Sequence, residues 1–353
     1  MSTKKALAVF STDWHLKKEN IDQISKLIVQ QCELAKKLEV EYIIGLGDVL
    51  DSRVSQREEI LTAFADILDI IHSYGLKFIL IPGNHDKTLY TSNNSFLTPY
   101  RHHPCLTLVS REGYLPFRDQ DVYLHFLPFW DEAIWIEMFN KLKGHINESE
   151  KKFAGKQILC THIAVTGSKN NDGTFVSSEI SPKIFKDYFK VFSGHYHDQQ
   201  QIGSNFYHIP SIQQNNFGEN PDKGFTVLYS DGSHELVESE FKSYIKVVID
   251  LEKTDDEAMN KYKRTYKGMD ANVRFEFLGP ESMLKAIKKE DFNVLGIDVK
   301  TKVKEIEDDI VFSETAEIIE HTKETIKEEF KKFCDKEKLD EAVGSKYLNK
   351  KLN

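Results

Sequence analysis

Five short segments carry residues with metal-ligand chemistry: Asp13-Trp14-His15, Gly47-Asp48-Val49-Leu50-Asp51, Gly83-Asn84-His85-Asp86, Cys160-Thr161-His162 and Gly194-His195-Tyr196-His197. Each begins where a short apolar run stops. Singly such a segment says little, because a lone Asp-x-His or a lone histidine is more often structural than ligating. In this order, after these runs, they form a pattern. The donors are Asp, Asn and His, a mixed nitrogen and oxygen set that suits manganese, iron or zinc better than a closed structural zinc site. They are more than one metal with an open position requires, so two divalent metals sharing a bridging carboxylate is the economical arrangement. Water activated between two such ions is a competent nucleophile near neutral pH, and the ions offset charge growing on phosphoryl oxygens. The chemistry expected is hydrolysis of a phosphate ester.

Such a site requires strands that stop together. Residues 6–12 read as a buried strand, and Ile21, Ile24, Leu27, Ile28, Leu34, Ala35 and Leu38 then recur at helical spacing. Tyr42 to Leu46 is a second apolar run, Ile60 to Ile71 a second helical stripe, and Leu76 to Ile81 a third strand closed by Pro82-Gly83. This βαβαβ rhythm predicts a sheet that begins parallel, with helices on its faces. Ligands of such sheets collect beyond the carboxyl ends of the strands. Further strands are expected at 106–109, 122–127, 157–160, 191–193 and 225–229, with a helix near 131–143.

The character changes near residue 240. Residues 244–251 and 272–278 read as strands among charged, helix-like stretches, and 314–353 as a charged helical tail. Ile319, Ile326, Phe330 and Phe333 form one apolar stripe on that tail. The expected organisation is a first domain over 1–240, a small α+β domain over 241–312 and a helical tail over 313–353.

Composition narrows the class. The chain has 353 residues, 40% hydrophobic and 29% charged, which describes a globular protein able to bury a core without disulfides. No apolar run approaches membrane-spanning length. Lys4 and Lys5 precede only Ala6 to Phe10 before polar Ser11, too short for a signal peptide, so a first strand and a cytoplasmic setting are expected. The four cysteines are scattered and form no CxxC pair, as in a protein with reduced, buried thiols. The net charge of −9 speaks against nucleic acid, since non-specific affinity for it comes from Lys and Arg on phosphates. Residues 241–353 hold 23 Lys and Arg against 25 Asp and Glu, so about −7 of that charge lies in the first 240 residues. Two divalent ions would reverse the sign locally. Lys17, Lys18, Arg53, Arg57 and Lys87 follow the metal motifs closely and are candidates for a phosphate track. His102-His103 reads as a surface pair, His125 as structural, and Trp130 and Trp135 as core or interface.

The succession DxH, GDxxD, GNHD, a lone His and GHxH resembles the calcineurin-like metallophosphoesterases over roughly residues 6–230. The resemblance implies a βαβ-rich sheet sandwich flanked by helices. It implies that Asp13, His15 and His197 hold one metal, that Asn84, His162 and His195 hold the other, and that Asp48 bridges them. It further implies that His85 is not a ligand but meets the phosphate or leaving oxygen, and that Asp51 orients His85 through a hydrogen bond.

Protein phosphatases of that superfamily usually show GDxVDRG and GNHE, whereas this chain has GDVLDS and GNHD. The Asp-Trp-His-Leu opening at 13–16 and the segment YHIPSIQQNNFGENPDKG at 207–224 are similar to SbcD-type repair nucleases and related phage recombination endonucleases. Residues 217–219 and 223–225 carry most of the second similarity. That branch implies a manganese-dependent (or magnesium-dependent) DNA exonuclease and endonuclease in end processing, repair and recombination. It also implies a homodimer, a capping domain, and a helical tail that docks on the coiled coil of an SbcC-type ATPase, in the bacterial cytoplasm or, for a phage protein, that of the host. The alternative for the tail stripe is packing on its own capping domain. The chain departs from the branch at Lys17, where glycine is frequent, at Asp51, where some members carry His, and at Thr161, where glycine often precedes the lone His. A small-molecule phosphodiesterase, acting on cyclic nucleotides for instance, is the alternative function. A non-catalytic scaffold would be marked by lost ligands, and all seven are present.

Overall fold

The computed structural model describes residues 4–150, 155–170 and 173–304, together with Phe330, Lys331 and Cys334; for 145–150 it describes the backbone alone. The chain forms two compact units, 1–303 and 304–353. In the second, Phe330, Lys331 and Cys334 have helical backbone. Ile319, Ile326 and Phe333 of the expected stripe, and residues 305–312 of the expected second domain, lie outside the described residues.

The first unit opens with β1 (Ala6–Ser11), α1 (Ile21–Lys37), β2 (Tyr42–Gly45), α2 (Glu58–Ser73), β3 (Lys77–Leu80) and β4 (Leu106–Leu108). It continues through β5 (Gly113–Phe117), β6 (Val122–Leu127), α3 (Glu132–Glu150), β7 (Lys156–Thr161), β8 (Lys190–Ser193), β9 (Gln200–Ile202), β10 (Phe206–His208), β11 (Gly224–Tyr229) and β12 (His234–Glu238). These strands make two mixed six-stranded sheets, ordered β12-β11-β1-β2-β3-β4 and β5-β6-β7-β8-β10-β9. β1 to β4 run parallel, as the βαβαβ rhythm requires, and β11 joins β1 antiparallel. In the second sheet β6, β7 and β8 are parallel.

Alternation within the strands builds three apolar layers. Ala8, Phe10, Ile44 and Ile79 face Leu124, Phe126, Ile158 and Phe192 in the core between the sheets. Val9, Ile43 and Phe78 point the other way, onto Ile24, Leu27 and Ile28 of α1 and Phe64, Ile67 and Ile71 of α2. Leu159, Val191 and Phe206 meet Trp135, Met138 and Phe139 of α3 on the far side of the second sheet. The result is a helix, sheet, sheet, helix sandwich, the mixed α/β class expected from the sequence.

Beyond it, β13 (Tyr244–Asp250), α4 (Asp256–Tyr266), β14 (Asn272–Gly279), α5 (Glu281–Lys285), α6 (Glu290–Asn293) and β15 (Ile297–Val303) form a three-stranded parallel sheet with helices. Its own core is Ile249, Val273, Phe275, Phe277, Phe292 and Ile297. β15 falls where the sequence reads as charged and helix-like. Its apolar residues recur every second position, and Ile297 and Val299 are buried while Asp298 and Lys300 are exposed. β5 contains Pro116, the kind of residue that sheets confine to edge strands, and β5 is at the edge of its sheet. Among the described residues no helix is long and apolar enough to cross a membrane.

Candidate metal centre

The loops that follow β1, β2 and β3 are held against one another by backbone hydrogen bonds. Asp13 N donates to the Gly47 carbonyl (3.0 Å), His15 N to that of Asp48 (3.1 Å) and Leu16 N to that of Val49 (2.8 Å). Asp86 joins the second and third loops: its carboxylate accepts from Leu50 N (3.0 Å) and Gly83 N (2.8 Å). Asp48 Oδ1 accepts from His85 N at 2.8 Å. The loops approach so closely that a Cβ on Gly83 would lie 2.2 Å from Asp48 Oδ1. Backbone strain concentrates at the same place. Asp13, His15, Asp48 and His195 have positive φ, and among the described non-glycine residues only Glu39 and Asp121 share this. Such conformations are costly and gather at functional sites.

Three groups of donor atoms converge within 4.8 Å: Asp13 with His15 and His197, His15 with Asp48 and His85, and Asp48 with His162 and His195. Asn84 belongs with the third group, since its Oδ1 lies 3.1 Å from His162 Nε2 and 2.9 Å from His195 Nδ1. Asp48 stands between the groups, with Oδ2 3.3 Å from His162 Nε2 and 4.0 Å from His15 Nε2. His15 and His197 oppose their Nε2 atoms at 3.0 Å. Asp13, Asp48, Asn84 and His162 are all buried.

The electrostatics are those of a crowded, largely buried polar cluster. Burial disfavours charge on Asp48, yet the neighbouring His162 outweighs it and holds the carboxyl well below the usual range. Burial likewise opposes charge on His162, but Asp48 carries its pKa up to about 9. His195 is driven down to about 3 by burial and by the like charge of His162. Burial and Asp48 push Asp86 up to about 6.

His85 lies beside the cluster, its Nε2 3.9 Å from Asp48 Oδ2. Its Nδ1 donates to the backbone carbonyl of Asp51 at 2.5 Å, and its Nε2 accepts from Arg53 Nη2 at 2.6 Å. Asp51 therefore orients His85 through its main chain; its carboxylate turns to His15 Nδ1 at 3.4 Å. Burial holds His85 below the usual imidazole range.

The five proposed phosphate-track cations divide. Lys17, Lys18 and Arg57 line a cleft of about 400 Å³ that includes Asp51. Arg53 lines another, about 450 Å³, with Asn84, His195, Tyr90 and Phe129. Lys87 departs from the expectation. It is fully buried, donates to the Phe129 carbonyl (2.7 Å) and lies 3.8 Å over the Trp130 ring, so it cannot meet a nucleic-acid phosphate. Spacing placed it near the site; packing turned it inward. Trp130 and Trp135 are buried, as is His125, which bonds Gln157 Oε1 at 2.7 Å.

Sequence reasoning assigned no role to Glu219. Its Oε1 accepts from His197 Nδ1 at 2.7 Å, and its Oε2 lies 3.2 Å from the ammonium of buried Lys223. The signal was present in 217–225, a glycine-rich stretch with a Glu and a Lys four apart and no apolar period to explain them.

A family model described as calcineurin-like phosphoesterase matches residues 8–199. No curated protein matches the chain. Among solved structures, a dimetal phosphatase from Danio rerio shares 10% identity, covering 63% of this chain and 91% of that one, with a TM-score of 0.45. Calcineurin-like phosphoesterase YfkN from Bacillus subtilis shares 13%, covering 67% and 90%, with a TM-score of 0.38. Nuclease MPE from Pseudomonas putida shares 15%, covering 57% and 67%, with a TM-score of 0.27.

Proposed function

The chain belongs to the calcineurin-like phosphoesterase family, and from that premise we propose that this metal-dependent phosphoester hydrolase is a two-metal DNA nuclease. One observation carries the reading: five strand-end loops bring Asp, Asn and His donors into adjoining groups with Asp48 between them. The donor set fits a pair of divalent ions, since imidazoles, carboxylates and one amide oxygen converge with no thiolate among them. Asp13, His15 and His197 would hold one ion and Asn84, His162 and His195 the other, with Asp48 shared. Divalent ions bound there would supply Lewis-acid charge to the phosphoryl oxygens and acidify water.

The remaining steps fall to the protein. The Asp51 carbonyl fixes the His85 tautomer with hydrogen on Nδ1, which leaves Nε2 to face the substrate. Arg53 occupies that nitrogen in the free protein. A phosphate oxygen is a better partner for a guanidinium than an imidazole. Substrate binding would then draw Arg53 away and free the Nε2 lone pair of His85, which would take up a proton from solvent beside the phosphate's negative charge and pass that proton to the leaving oxygen.

DNA as substrate is supported by the similarity of 13–16 and 207–224 to SbcD-type nucleases and by cations lining both clefts beside the centre. The same similarity supports Mn2+ as the metal, a homodimer, a cytoplasmic setting and an SbcC-type ATPase as partner. The test is end-labelled duplex and single-stranded DNA with Mn2+, Mg2+ or EDTA, beside bis-p-nitrophenyl phosphate. Mn2+-dependent degradation abolished by EDTA is expected. Hydrolysis of the small diester with DNA left intact, by the chain alone and with an SbcC-type ATPase added, would contradict the nuclease reading and favour a small-molecule phosphodiesterase.

A further inference from the structure

We propose that Glu219 and Lys223 form a buried clamp that positions His197 as a metal ligand, fixing its ring and its main chain together. The inference rests on the two-metal reading above. It concerns residues that lie 22 and 26 positions after His197 and outside every metal motif.

Lys223 is fully buried. Its ammonium carries three protons and meets three acceptors: the His197 carbonyl at 2.6 Å, Asp198 Oδ1 at 2.7 Å and Glu219 Oε2 at 3.2 Å. The Glu219 carboxylate is equally committed. Oε1 accepts from His197 Nδ1 and Asn216 Nδ2, both at 2.7 Å, while Oε2 also accepts from Asn215 N at 3.0 Å. Neither side chain can turn without leaving a buried donor or acceptor unpaired.

The consequence for His197 is specific. A hydrogen on Nδ1, directed at Glu219, leaves the lone pair on Nε2, and Nε2 is the atom 3.9 Å from Asp13 Oδ1 and 3.0 Å from His15 Nε2. A carboxylate behind an imidazole also makes it a more basic ligand. Lys223 closes the arrangement by gripping the same residue's carbonyl. Apolar residues could fill this space without desolvating an ion pair; they could not fix the tautomer. The same loop reaches the carboxylate ligand of that group, for Asn215 Nδ2 lies 3.5 Å from the Asp13 carbonyl.

The test is Mn2+ titration by calorimetry of the full metal-free chain, for the parent protein and for Glu219→Leu, Glu219→Gln and Lys223→Met. The parent is expected to take up two equivalents. Glu219→Leu is expected to weaken one of the two by about 10–100-fold and leave the other within about twofold. Glu219→Gln, which keeps an acceptor and the same shape, is expected to fall between. Imidazole 15N shifts of the metal-free protein supply a second readout, with His197 protonated on Nδ1 in the parent and as a tautomer mixture in Glu219→Leu. Two undiminished sites in Glu219→Leu, or an equal loss at both sites with a collapsed melting temperature, would overturn the clamp. If the parent takes up no Mn2+, the two-metal reading falls, and the 15N shifts alone then decide whether Glu219 sets the tautomer.

Discussion

At the scale of single residues, His85 and the ligand candidates have separable jobs. The His85 ring is hydrogen-bonded by a main-chain carbonyl and an exposed guanidinium, not by the carboxylates of the cluster. His85→Leu is therefore expected to keep both equivalents of Mn2+ while cutting turnover of bis-p-nitrophenyl phosphate by about 10²–10⁴-fold, the usual range for a lost general acid. Calorimetry and initial rates on one preparation check this; a variant that loses metal and turnover together would make His85 a ligand. The donors were legible because each stands just past an apolar run; what the spacing did not show is that the strand ends belong to two sheets, three in the first and two in the second. Which atom of Asp51 faces His85 was not legible, because the choice between carboxylate and carbonyl depends on how the loop turns. Nor was the inward turn of Lys87, which is decided by the Trp130 ring and the Phe129 carbonyl from a distant strand end.

At the scale of elements, strand ends matter more than strand interiors. The centre exists because the loops after β1, β2 and β3 touch, and Gly83 is the point of closest approach. Gly83→Ala would place a Cβ 2.2 Å from Asp48 Oδ1 and 2.4 Å from Asp48 N, and backbone cannot yield that much without moving Asp48. We expect a loss of about 1–3 kcal/mol in stability, as for other overpacked sites, and weakened uptake of both metals. Gly144→Ala in α3, where a new Cβ meets nothing, is expected to stabilise by roughly 0.5–1 kcal/mol. Melting curves and Mn2+ titrations of the pair measure the contrast; equal behaviour would show that the loops are slack. Long periodic elements such as α1 and α2 were readable from apolar spacing. β9 and β10, three residues each, were not, because so few positions carry no period. β15 was masked by its lysines: Lys300 and Lys302 occupy the exposed side of a strand whose apolar side is only two buried residues deep.

At the scale of the whole molecule, an acidic sandwich is built around a centre that only cations would make attractive to a phosphodiester. The first 240 residues carry about −7, whereas 241–304 hold 14 Lys and Arg against 11 Asp and Glu. On the nuclease reading proposed above, affinity for DNA would have to come from bound metals, the few cations in the clefts and the proposed partner, and the fold follows from the need to bring five strand ends together. The most direct test of that claim is anomalous scattering from crystals grown with Mn2+. Two peaks are predicted, one among Asp13, His15 and His197 and one among Asn84, His162 and His195, with Asp48 in contact with both. A single peak, or two that leave Asp48 without contact, would contradict the account.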